Sequence, residues 1–200
     1  ETMELDHRAN LIVAGEAGSL REAWSLADAG LSFRPGRIVQ LESDRIYLDP
    51  AVAARALETG AGALSYLVDS IASEHGSTPY SFMTAISPSA GLGPVPLGMK
   101  DDEILVSRWL ADQLLVKEGD RVQVAYSELG VGSGFAPRQE SFRVRGVLEM
   151  EALAGEKDLV PEFPGLTDVE SCKDWEIGLP LEEKKLKDEA NEAYWKRYRQ

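Results

Sequence analysis

Histidine and cysteine are nearly missing from this chain of 200 residues, which holds only His7, His75 and Cys172. A single thiol excludes an intrachain disulfide and leaves the redox compartment open. Two histidines, one near the amino terminus and one before Gly76 in a turn-like stretch, are too few for a histidine-based metal site unless a defined partner holds one of them. Long apolar runs are also lacking. Leu11-Ile-Val-Ala14 is far too short to span a bilayer and has no basic stretch before it, so the sequence predicts neither a span nor a secretory leader. No Gly-Lys-Ser/Thr occurs, which excludes a Walker phosphate loop. Basic residues are few: 21 Lys and Arg stand against 34 Asp and Glu, a formal charge of -13. Such a balance argues against nucleic acid and against anionic headgroups as partners.

What is present is ordinary globular material. Hydrophobic residues make up 44% and charged residues 28% of the chain, enough for one large domain or two small ones with a real core. The chain opens on Glu1 and closes on a charged amphipathic stretch, so both ends read as cuts in a longer protein.

Patterning predicts an α+β fold. Asn10 to Ala14 reads as a short strand, and Ser19 to Ala29 as a helix capped by Ser19 and ended by Gly30. Pro35-Gly36 marks a turn. Arg37 to Glu42 and Arg45 to Leu48 read as a hairpin around Ser43-Asp44. Asp49-Pro50 opens a helix that runs to about Glu58. Leu64 to Ala72 and Tyr80 to Ile86 read as strands about a Glu74–Ser77 turn, and Ser87 to Met99 as a Pro/Gly-rich loop. Ile104 to Val106 is a strand. Ser107 then caps a helix with Leu110, Ala111, Leu114 and Leu115 on its apolar face. Gly119-Asp120 turns the chain into Arg121 to Ser127, with Val122, Val124 and Tyr126 on one face. Leu129 to Arg138 reads as a long hairpin loop. Ser141 to Val147 follows, with Phe142 and Val144 inward and Arg143 and Arg145 outward. Glu151 to Leu181 is rich in Pro, Gly and acid and reads as irregular. Leu181 to Arg199 reads as a helix with Glu183/Lys187 and Glu192/Lys196 pairs.

Candidate chemistry is sparse. Gly130-Val-Gly-Ser-Gly134 lies between two strands with no Lys after it, which favours a mobile hairpin tip over a phosphate cradle. Asp168, Glu170, Asp174 and Glu176 form the densest acidic cluster, but their spacing does not fit an EF-hand, and a solvated loop accounts for them. Cys172 has Lys173 beside it and no histidine nearby, so it reads as a packed small residue. Phe163, Trp175, Tyr194, Trp195 and Tyr198, with Pro161 and Pro164, are the strongest aromatic grouping. They fit either a surface for a partner or cargo, or a staple between an irregular loop and the last helix. No catalytic, metal-binding or cofactor-binding residue emerges, and no enzyme activity is expected.

The order of several motifs resembles a known family. Glu103-Ile-Leu-Val-Ser-Arg-Trp-Leu-Ala-Asp-Gln-Leu114, Lys117-Glu-Gly-Asp-Arg-Val-Gln-Val124 and Ser141-Phe-Arg-Val-Arg-Gly-Val147 are similar to the extracytoplasmic core domain of FtsX/MacB-like ABC transporter permeases. Ser43-Asp-Arg-Ile-Tyr-Leu-Asp-Pro50, Thr78-Pro-Tyr-Ser-Phe82, Asp158-Leu-Val-Pro-Glu-Phe-Pro-Gly165, Cys172-Lys-Asp-Trp175 and Tyr194-Trp-Lys-Arg-Tyr198 look like a subgroup of large FtsX-like permeases. The resemblance covers the chain from about residue 25. It implies a mixed α/β core subdomain formed by residues 1–102 and 151–200, with a smaller strand-helix-hairpin subdomain, 103–150, inserted in it.

The resemblance also implies a periplasmic position on the extracytoplasmic face of the bacterial cytoplasmic membrane, between two membrane spans. The implied partners are the transmembrane helices of the same polypeptide, a cytoplasmic ABC ATPase, and a second permease copy or a periplasmic adaptor, with no nucleic acid. The family couples cytoplasmic ATP hydrolysis to extracytoplasmic movement for export or release of lipoproteins, peptides or small molecules. The alternative from the residues alone is a free-standing secreted or cytoplasmic domain that binds or hydrolyses a ligand with its 158–198 acidic and aromatic segment.

Overall fold

The computed structural model describes residues 24–36, 38–44, 47–87, 93–129 and 135–154. The expected strand at Asn10–Ala14 and helix at Leu181–Arg199 lie outside these residues. The architecture is α+β: a curled, mixed five-stranded sheet and a small antiparallel two-stranded sheet, with short helices. The chain divides into two compact units, Glu1–Ala56 and Leu57–Gln200.

In the first unit, β1 (Leu31–Arg34) and β2 (Gln40–Ser43) pair antiparallel with Leu31 opposite Ser43. The hairpin therefore pivots at Pro35-Gly36. The expected pivot at Ser43-Asp44 is corrected, and Tyr47 and Leu48 are not in a strand. Arg34 explains the register: its guanidinium meets Glu42 at 2.9 Å and Gln40 at 2.9 Å, both on β2. Of the helix expected before it, the described residues retain only a 3-10 turn, Ala27–Ala29. Gly30 ends that turn in the left-handed region at φ 66°. A Cβ on Gly30 would lie 2.1 Å from a carboxylate oxygen of Asp44, so glycine is required there. The helix α1 (Pro50–Ala56) starts where Asp49-Pro50 predicted, with the Asp49 carboxylate accepting from Ala51 N–H at 2.9 Å.

The second unit is built on β3 (Ala63–Ala72), β4 (Ser77–Ile86), β5 (Glu103–Ser107), β6 (Arg121–Leu129) and β7 (Phe135–Leu148), in the order β4-β3-β6-β7-β5. All neighbours are antiparallel except β5 and β7. The helix α2 (Arg108–Leu114) follows β5 and packs against β4, β5 and β7. Ser107 caps it as the sequence predicts, its hydroxyl accepting from Leu110 N–H at 3.1 Å, an interaction typically worth about 1 kcal/mol. Leu110, Ala111 and Leu114 enter the core with Val68, Ile71, Val122, Val124 and Val144. Leu115 does not. It takes the left-handed position that ends the helix, φ 52°, and is 69% exposed. A short helix, α3 (Met150–Ala154), follows β7.

Two expectations about organisation change here. The hairpin of β6 and β7 extends to Leu129 and Phe135, so much of the expected Leu129–Arg138 loop is strand. Pro137 is tolerated because β5 pairs with β7 only from Arg143 onward, leaving this part of β7 with one neighbour. The boundary expected at residue 103 is crossed by the sheet. Ser70–Ala72 of β3 pair with Gln123–Ala125 of β6, because Val68 and Ile71 need the apolar surface that Val122 and Val124 supply. Residues 103–150 thus contribute three of the five strands of one sheet, while 155–200 of the expected core lie outside the described residues.

Candidate functional site

The sequence-selected aromatic grouping, Phe163, Trp175, Tyr194, Trp195 and Tyr198, lies outside the described residues. So do His7, Gly130–Gly134, the Asp168–Glu176 acids and Cys172. His75 is described and sits in the β3–β4 turn. Its N–H donates to Ser73 Oγ at 3.0 Å, and its ring lies 3.7 Å from the exposed Glu74 carboxylate. That is a turn histidine with no further catalytic partner among the described residues. These residues also contain no group of three or more His, Cys, Asp or Glu placed to hold a metal ion.

Two built features remain in the second unit. One is where β3 and β6 part. Strand pairing between them is confined to Ser70–Ala72, and beyond it side chains bridge the gap. The Tyr66 hydroxyl donates to the Ser127 carbonyl, and Ser127 Oγ donates to Asp69 at 2.9 Å. The Tyr66 and Tyr126 rings meet edge to face with centroids 5.8 Å apart, a favoured arrangement. Across from this point, on β4, Tyr80 adopts φ 37°. Val68 and Ile71 are both buried although three residues apart, which strict alternation forbids. The curl of the sheet therefore centres on this junction.

The other feature lies at the opposite end of β6 and β7. The side chain of Glu103, the first residue of β5, is only 3% exposed. Arg143 of β7 donates to one of its carboxylate oxygens. Arg145 Nε lies 3.7 Å from the other, which also accepts from Lys100 N–H at 3.0 Å. Arg145 reaches a second carboxylate, Glu118, at 3.5 Å. Sequence reasoning placed both arginines outward correctly but missed Glu103, whose charged partners Arg143 and Arg145 are 40 or more residues away and leave no local signal. Near the end of β7, Arg108 binds Glu149 at 2.7 Å. The hydrogen bond from Arg108 holds the Glu149 carboxyl below the usual glutamate range. Its contribution to stability is present above that range and lost as pH falls through the lowered value. Both groups are exposed, so the effect is small.

In the first unit a shallow groove of about 300 Å³ is lined by Gly30, Leu31, Glu42 and Asp44. Glu42 is committed to Arg34 there, and the groove has no convergent donor set.

The fold and its surfaces therefore define an α+β domain whose built features tie strands together and join no reacting groups among the described residues. No protein-family profile matches this chain, and no curated protein matches it.

Proposed function

We propose that this chain is the extracytoplasmic domain of an FtsX/MacB-like ABC transporter permease. It would transmit movement driven by a cytoplasmic ATPase to the export or release of a lipoprotein, peptide or small-molecule cargo. One observation carries the reading: the motifs of the resemblance occur in order, and the described elements of the most compact of them follow one another in the implied order. Glu103 to Val147 folds as strand, capped helix, Gly-Asp turn, strand and strand. Gly119 supplies the left-handed turn at φ 93°, and its N–H donates to the Val144 carbonyl at 2.8 Å, tying the Gly-Asp turn to the last strand of the run. The role is mechanical, so its requirement is a stiff sheet. The junction of Tyr66, Asp69 and Ser127 supports this by locking two long hairpins where their backbone pairing ends. Among the described residues no helix is long and apolar enough to cross a membrane. The spans would be contributed by other parts of the same polypeptide.

The reading is tested on the full-length protein, solubilised from membranes in mild detergent. It should co-purify with an ATP-hydrolysing subunit or carry an ATPase domain itself. The 200-residue chain alone should turn over no ATP, since its sequence has no Gly-Lys-Ser/Thr. Recovery of the chain as a complete soluble product that binds or cleaves a small ligand would favour the free-standing domain instead.

A further inference from the structure

The face of the five-stranded sheet that bears Arg121, Arg143 and Arg145 holds an arginine group that the mechanical reading does not use. Arg121 of β6 stands directly opposite Arg143 of β7, which in turn stands opposite Glu103 of β5. Like charges placed directly opposite on neighbouring strands repel and destabilise the pair. Arg143 is offset by Glu103, and Arg145 shares Glu103 and adds Glu118. Arg121 has no carboxylate among the described residues; its hydrogen bond is to the neutral Ser141 hydroxyl at 3.3 Å. Of these three guanidinium groups, Arg121 alone has no ion-pair partner among the described residues, in a chain whose formal charge is -13.

We infer that this face, centred on Arg121 and Arg143, docks an extended acidic peptide segment of a partner protein. Charge complementarity selects the occupant's sign, since a carboxylate set between Arg121 and Arg143 relieves their repulsion and accepts charge-assisted hydrogen bonds from both. Spacing selects its form. Along β7 the outward positions Arg145, Arg143, Ser141 and Gln139 recur every second residue, roughly 7 Å apart, the repeat of alternate side chains in an extended peptide. The rows beyond the arginines present amide and hydroxyl groups, Gln123 with Gln139 at 2.8 Å and Ser141, which can take the polar side chains of the same segment.

The test is an NMR titration of the 200-residue chain with a synthetic octapeptide of alternating Glu and Ser. Amide shifts should concentrate at Arg121, Gln123, Ser141 and Arg143, and binding should weaken as salt is raised. Arg121→Gln should weaken binding about tenfold with an unchanged melting temperature, a loss of roughly 1.4 kcal/mol. Arg138→Gln, which removes an exposed arginine of β7 paired with Glu128, should bind as the parent does. Equal affinity for the parent and Arg121→Gln overturns the inference. So does binding of inorganic phosphate or of phosphatidylglycerol vesicles at this face without binding of the peptide.

Discussion

Leu114→Ala should lower the stability of the second unit by about 3 kcal/mol, within the 2–5 kcal/mol range for buried leucines. Leu114 is wholly buried at the end of α2, packed in the same cluster as Val68, Val122, Val124 and Val144. The helix spans only seven residues, Arg108–Leu114, too few to persist without its packing. Truncation therefore leaves a cavity and also loosens the element that covers this face of the sheet. Thermal unfolding by circular dichroism should show the midpoint falling by about 6–12 °C, since 1 kcal/mol corresponds to roughly 2–4 °C in a chain of this size. Leu115→Ala, one residue on, should change the midpoint by less than about 2 °C, because that side chain is 69% exposed. Equal effects at the two positions would mean that the helix packs through a different face.

The second large effect is expected at the Glu103 cluster, and it is asymmetric. Arg143→Met leaves a buried carboxylate with only Lys100 N–H at 3.0 Å and Arg145 at 3.7 Å. Removing the close partner of a buried charge is costly, about 3 kcal/mol. Glu103→Gln frees two arginines that are each roughly half exposed and can hydrate instead. Its cost should stay near 1 kcal/mol. Chemical denaturation of both variants reads the difference directly. A larger loss for Glu103→Gln than for Arg143→Met would show that the arginines, not the carboxylate, depend on the pair.

These positions also show why part of the fold was readable in the sequence and part was not. Ser107, the apolar triplet of α2, the Gly119-Asp120 turn and the alternation of Val122 and Val124 are local signals, each set by residues within a turn of one another. The β3–β4 hairpin was legible for the same reason. Leu115 misleads because helical spacing continues through it, while its backbone has already left the helix. Pro137 hides the extension of β7, since a proline looks like a strand breaker wherever the number of neighbouring strands is unknown. The pairing of β3 with β6 and the ion pairs of Glu103 join residues 40 or more apart, and no local pattern encodes them. The aromatic residues Phe163 to Tyr198 lie outside the described residues, so the surface expected of them stands as a reading of the sequence.

The position and attachment of the domain are measured most directly on the full-length protein in a bacterial host, with Cys172→Ser to remove the one thiol of these 200 residues, any cysteine elsewhere in the polypeptide replaced likewise, and Leu97→Cys as the probe. Leu97 is 71% exposed, so a thiol there is reachable from solvent. Spheroplasts are treated with a membrane-impermeant maleimide, and their membranes are then washed at alkaline pH. The account predicts that the thiol is labelled before lysis and that the labelled polypeptide stays with the washed membranes. Labelling only after lysis, or release of the labelled chain by the alkaline wash, would contradict it.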